Sequence, residues 1–285
     1  MARIPLWLAS VFTGAWLCLF AWWLPAQAED TRATSFPRWL PPVTWTVSGN
    51  LLVPPDLFQS AHENAKFELY VTPRIVVQTW SEQTDLSAYV TFGALKDRNV
   101  FTYNNKLTFA LGIQVRHRVT KALRVRVGAR WKIEQEASGA ADNAFQLTLD
   151  ADWWKSWRPD WLPKALPKGS RLVFSGWSNF RYPASAHPFE AKNGLLQGSG
   201  KLALDMPMGK RKLKLSPFFS VKAKWDIRKR PYNNYVEPAL GLDLKVPLKG
   251  GGQVTFGIKA AQQFRTTTRT RESGGIAYVS WYKSF

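Results

Sequence analysis

Arg116, Arg118, Arg124, Arg126 and Arg130 lie close together in the chain, alternate with apolar or small residues, and are divided by a short turn signal near 119–121. In a β-strand, alternate residues share one face. An antiparallel hairpin folded at that turn therefore lays the five guanidinium groups side by side. Guanidinium is a permanent cation with a planar fork of donors, suited to holding a carboxylate or phosphate through two bonds at once. Arg74, Lys132 and Lys259 stand in similar alternation, as do Lys212, Lys214, Lys222 and Lys224 in a later segment. The chemistry these residues can do is to bind anions or pass them.

Other chemistries find little support. The three histidines, His62, His117 and His187, are scattered, and the single cysteine, Cys18, sits in an apolar run near the start. No metal-ligand spacing results. His117 falls on an apolar row, where a dyad acting on membrane lipid could sit, but no serine or aspartate partner accompanies it. The expectation is a protein that is not an enzyme and uses no cofactor. Across its 285 residues the chain carries 39 Lys+Arg against 20 Asp+Glu, a net charge of +19. Such an excess requires an anionic partner or surface. Nucleic acid is not expected, because the stacked aromatic and basic motifs of its binders are absent. With 45% apolar and 14% aromatic residues, collagen-like, disulfide-scaffold and wholly disordered classes are excluded.

The elements that must position the arginines read in period two. Leu107, Phe109, Leu111, Ile113 and Val115 alternate with Thr108, Ala110, Gly112, Gln114 and Arg116. Leu123, Val125, Val127, Ala129, Trp131 and Ile133 alternate with the basic row of the next segment. Only a strand with one apolar and one polar face places such rows. Strands are expected near 42–53, 66–80, 85–96, 104–118, 122–135, 142–154, 171–183, 195–206, 211–228, 234–248, 252–266 and 274–285. Many exceed the usual length of soluble strands and suit a tilted crossing of a bilayer. Short and long connections alternate, with short turns at one end and longer polar segments at the other. The expected fold is all-β, a transmembrane antiparallel up-and-down barrel of about twelve strands. The competing arrangement is a soluble sandwich or lipocalin-like barrel with the apolar rows inside.

At the N-terminus, Met1-Ala-Arg3, an uncharged apolar run from Ile4 to Leu24 and Ala26-Gln27-Ala28 form a secretory signal, with cleavage expected after Ala28. An uncleaved anchor is the alternative. Residues 29–41 are expected to be a periplasmic N-terminal segment and 42–285 the barrel, with a long periplasmic insertion at 153–170. Trp153, Trp154, Trp157 and Trp161 mark that insertion as an inner-interface anchor or as a docking site for a periplasmic protein partner. Trp45, Trp80, Trp131, Trp153, Trp177, Trp225 and Trp281 sit near strand ends on the apolar face, as an interfacial girdle would.

The last strand, Gly274-Gly-Ile-Ala-Tyr-Val-Ser-Trp-Tyr-Lys-Ser-Phe285, alternates Ala277, Val279 and Trp281 up to a final phenylalanine. It resembles the C-terminal assembly signal of Gram-negative outer-membrane β-barrel proteins, although Lys283 departs from that pattern. The resemblance implies residence in the outer membrane and recognition of Trp281 and Phe285 by the barrel-assembly machinery. In size, strand number and basic inner face the chain is also similar to twelve-strand porins for acidic oligosaccharides.

If the apolar face meets lipid, the basic face lines a lumen. Arg74, Arg116, Arg118, Arg124, Arg126, Arg130, Lys132, Arg171, Lys201, Lys212, Lys214, Lys222, Lys224, Arg228, Lys245, Lys259 and Arg265 are expected there. They outnumber the acids Glu68, Glu134, Asp150, Asp152, Asp205, Asp226, Glu237 and Asp243. Rings of basic side chains make anion-selective pores. The expectation is a porin-like channel for anionic solutes, acidic oligosaccharides among them. The alternatives are a lumen plugged by charge pairs and a non-conducting accessory barrel of an envelope or polysaccharide export complex. Basic residues at or in the outer loops, Lys96, Arg98, Arg228, Lys229, Arg230, Arg269 and Arg271, are candidates for contact with lipopolysaccharide phosphates.

Overall fold

Alternation of apolar and polar residues through nearly every segment leaves the chain one economical solution, a sheet closed on itself. The computed structural model describes residues 43–54, 57, 65–98, 105–190, 192–209, 212–230 and 233–285. Twelve strands run in chain order: β1 (Val43–Val53), β2 (Lys66–Ser81), β3 (Thr84–Asp97), β4 (Lys106–Arg118), β5 (Leu123–Glu136), β6 (Ala141–Trp157), β7 (Arg171–Tyr182), β8 (Leu195–Met208), β9 (Leu213–Asp226), β10 (Tyr235–Pro247), β11 (Gln253–Arg265) and β12 (Arg271–Ser284). Each pairs antiparallel with its sequence neighbour, and β1 pairs with β12 to close the barrel. No sheet edge is left among the described residues, as a wall facing hydrocarbon requires, and the β2–β3 ladder shifts register at Val76/Gln78 and Thr79/Ser81.

The expected secretory signal and the segment 29–41 lie outside the described residues, as does His62. The tryptophan-rich insertion is shorter than expected. β6 continues past Trp153 and Trp154 as far as Trp157, so the connection is 158–170. The period-two pattern persists through the Trp153-Trp154 pair because a strand tolerates bulky rings on both faces. Within the connection Trp161 is exposed and Leu162 buried, and Arg158 donates to the Ser170 carbonyl at 3.0 Å. This connection, the short turns and both ends of the barrel sequence share one rim, called here the turn end. At the opposite rim, the loop end, β1, β3, β5, β7, β9 and β11 end and β2, β4, β6, β8, β10 and β12 begin.

The outside of the wall is apolar. Leu107, Phe109, Leu111 and Ile113 on β4, Phe145, Leu147 and Leu149 on β6, Leu240 and Leu242 on β10, and Phe256 and Ile258 on β11 all stand exposed. A soluble protein does not present so continuous an apolar belt. Within these strands the intervening residues face inward, which removes the soluble alternative with its apolar rows inside.

Glycines let the wall close tightly. Gly49, Gly93, Gly112, Gly176, Gly241 and Gly257 each lie directly opposite an aromatic residue on the neighbouring strand: Trp281, Tyr70, Tyr89, Trp153, Phe218 and Tyr278 respectively. In every case a Cβ on the glycine would run into that ring. The ring covers bare backbone that would otherwise weaken the strand, a cross-strand device for holding register. The pairs at Gly49 and Gly176 face outward and the other four inward.

Candidate functional site

Pairing registers place every basic residue expected in the lumen on the inner face except Lys212 and Arg228. Lys212 occupies the turn before β9 with φ 56°, and Arg228 belongs to the loop after β9. On the inner face, Arg118 stands opposite Arg124 and Arg116 opposite Arg126, with Arg130 two rows nearer the loop end. Arg74 is opposite Tyr89, Lys132 opposite Ala110, Lys214 opposite Lys245, Lys222 opposite Glu237, Lys224 opposite Tyr235 and Lys259 opposite Ile276. Lys66, Lys106, Arg181 and Asp85 join the inner face as well. The first two open their strands, where no earlier alternation marks a face. For Arg181, counting parity forward from Arg171 gives the answer directly.

The inner charges are not evenly spread. Arginines concentrate on β2 to β7, and most of their carboxylate partners are few. Asp85 accepts from Arg116, with Nε at 2.8 Å, and Asp152 pairs with Arg126 at 2.9 Å. Arg130 donates through Nε to Gln146 at 2.9 Å. Arg74 interacts electrostatically with Arg126 and Arg116, and its Nε is buried without an acceptor in the protein. Arg118 and Arg124 have no ion-pair partner among the described residues. Across the lumen, four lysines of β8 to β11 are matched to acids, and Lys222, Lys224 and Arg265 add further positive charge on the same rows. Lys201 pairs with Asp243, Lys245 with Asp205 at 2.6 Å, and Lys259 with Glu237 at 2.5 Å, while Lys214 stands 3.6 Å from Asp205. The Tyr278 hydroxyl also donates to Asp243. Both sides of the lumen thus carry more bases than acids, and the densest positive cluster is Arg74, Arg116, Arg118, Arg124 and Arg126 at the turn end, where Asp85 and Asp152 are the ion-paired acids.

The loop half of the lumen is partly filled. Loop 183–194 folds inward onto β5, where Glu134 accepts from Ser185 Oγ at 2.7 Å and from the Ala186 backbone amide at 2.8 Å. Lys106 and Lys132 also hold Glu134, at 2.6 and 2.9 Å, and Gln146 Nε2 donates to the Pro183 carbonyl at 2.7 Å. On the opposite wall Leu57 packs against Ala239, Ala261, Ile276 and Tyr278. Asp226, fully buried, accepts from the side-chain amides of Asn193, Asn233 and Asn234, joining loop 183–194 to loop 227–234. Arg230, expected to reach outward, instead pairs with Glu190 and stacks on Phe189, 3.9 Å from the ring centroid. Toward the turn end the inner face lines a polar cavity of about 380 Å³.

Two tryptophans depart from their expected places. Trp154 is opposite Ser175 and Trp177 opposite Asp152, all on inward rows, so both rings face the lumen. Trp154 lines the polar cavity. Trp153 and Trp157 remain on the outer face, as do Trp281 and His117. Thr84 Oγ1 lies 2.8 Å from His117 Nδ1.

A closed antiparallel barrel, apolar outside and charged within, defines the class: a transmembrane up-and-down β-barrel of the kind found in Gram-negative outer membranes. No protein-family model matches the sequence, and comparison with curated proteins finds no significant match. Among solved structures, the chain is similar to the β domain of the Bordetella autotransporter BrkA (9% identity, covering 85% of this chain and 98% of that one, TM-score 0.44). It is similar to a bacterial polysaccharide outer membrane secretin (10% identity, 85% and 97%, TM-score 0.41) and to the NanC porin (11% identity, 83% and 98%, TM-score 0.39).

Proposed function

We infer that the barrel is a porin-like channel for anionic solutes, acidic oligosaccharides among them, with its turn end toward the periplasm. The observation that supports this reading is the arginine cluster at the turn end of the lumen, in which Arg118 and Arg124 have no ion-pair partner among the described residues. A cluster of arginines short of matched acids raises the local concentration of anions along it. Side chains alone suffice to fill an eight-strand barrel, and diameter grows with strand number. Twelve strands therefore leave space that water and solute can share with the folded-in loop. In this reading Trp281 and Phe285 serve recognition by the barrel-assembly machinery. Loop-end cations such as Arg269 meet lipopolysaccharide.

The test is ionic selectivity in planar bilayers under a KCl gradient. The expected reversal potential shows chloride favoured over potassium. Arg118→Ala with Arg124→Ala should lower that preference by about fivefold, the factor given by roughly 1 kcal/mol of lost attraction. Arg118→Glu with Arg124→Glu should turn it toward potassium. Potassium preference in the unaltered protein, or the absence of pores, would reject the reading.

A further inference from the structure

Two indole rings in a water-facing row call for an explanation, because the same strands offer a lipid face where a tryptophan would be buried in hydrocarbon. Trp154 is 60% exposed and Trp177 41% exposed, both on the lumen side. They sit on adjacent strands as diagonal neighbours, a separation of about 7–8 Å between such positions. The arginine wall begins beside them. Asp152, opposite Trp177, is also opposite Arg124 and is ion-paired to Arg126. On the other side the polar cavity continues with Lys201, Lys214, Asp205 and Ser175.

We propose that Trp154 and Trp177, together with Arg124 and Arg118, form a binding site for an acidic oligosaccharide at the turn end of the lumen. A pyranose ring has a face of C–H groups that stacks on an indole and an edge of hydroxyls that seeks donors and acceptors. Indole presents the apolar face required, at little cost in side-chain freedom. Arginine takes the carboxylates in bidentate fashion. The cavity supplies acceptors as well as donors, through Asp205, Asp243, Ser175 and Thr255. Those acids accept from sugar hydroxyls, which a polyphosphate or a DNA strand does not present along its length. Two rings in diagonal sequence let consecutive sugars of one chain lie along the wall rather than bind as isolated monomers. The cargo class rests on the channel reading, but the site's test does not require conduction.

The experiment is calorimetric titration of the full chain, purified in detergent, with a hexamer of mannuronic acid. The expected result is binding that weakens about tenfold in Trp154→Ala and again in Trp177→Ala. Trp177→Phe, which keeps a ring, should stay within about threefold of the unaltered protein, as should Trp131→Ala on the lipid side. Maltohexaose should not compete. Equal binding of maltohexaose would overturn the proposal. So would unchanged affinity in both tryptophan-to-alanine variants, equal loss in Trp131→Ala, or a thymidine hexanucleotide that binds as tightly with the same tryptophan dependence. Chloride selectivity without hexamannuronate binding removes this site and leaves the channel reading standing. Binding in a barrel that prefers potassium or forms no pores does the reverse.

Discussion

Glu134→Leu should destabilise the barrel by about 3–5 kcal/mol, the range for removing one partner from a buried ion pair. Glu134 is 4% exposed and Lys132 8%, and the carboxylate receives Lys106, Lys132, Ser185 Oγ and the Ala186 amide at once. Leucine satisfies none of these donors. Two ammonium groups are left facing each other without their shared anion, and loop 183–194 loses the acceptor that draws it inward. Glu134→Gln is the informative contrast. An amide oxygen can still accept from Ser185 and Ala186, but it has no charge to set against two lysines, so the loss should be smaller, about 1–3 kcal/mol. Urea unfolding of the protein in lipid vesicles measures both values. The second effect is on conduction. With the loop released, single-channel current should rise and fluctuate in Glu134→Leu, whereas a loop held only by its own two ends would leave the current unchanged.

Most of the wall was legible in the chain because lipid and water demand opposite chemistry from adjacent residues. The β4–β5 hairpin shows this well: every residue from Leu107 to Ile133 keeps to its expected side, and the five arginines meet in the order their spacing implies. Legibility failed where a residue's chemical type was taken for its position. Trp154 and Trp177 are apolar, a type that suggests membrane contact, yet strict parity from Asp150 and Asp152, and from Asn179, puts both inside. Lys212 and Arg228 show the opposite case: alternation does not carry past the strand ends, so Lys212 stands in a turn and Arg228 takes the loop position that its place in the chain also allows. The inward course of loop 183–194 gave no signal at all. Ser185 and Ala186 are ordinary loop residues, and what draws them in is Glu134, far away in the chain. Which arginines lack an acid also depends on which acid meets which base across strands, and no single segment contains that information.

The same dependence on cross-strand register gives the second large effect, at the seam where the barrel closes. Gly49→Ala should prevent a stable closed barrel, although alanine adds one methyl group. That methyl would lie within 2.6 Å of Trp281 Cε2 and inside contact distance of the Glu68 carbonyl oxygen. The carbonyl belongs to the β1–β2 ladder and cannot retreat without breaking it. Trp281 lies directly opposite on β12, in the one strand pair that joins the ends of the sheet. Overpacking in a well-filled site costs about 1–3 kcal/mol where neighbours can shift; here one obstacle is backbone and the other helps to seal the seam. Folded yield in vesicles, scored by protease resistance, should fall by at least tenfold. Gly200→Ala provides the matched comparison, since a Cβ there meets nothing within 4 Å and the strand keeps its yield. Trp281→Ala with Gly49 retained should give an intermediate result, because closure survives but the glycine backbone loses its cover. If Gly49→Ala assembled as well as Gly200→Ala, the tight β1–β12 contact would not be what closes this barrel, and the assignment of inner and outer rows on β1 and β12 would need to be redrawn.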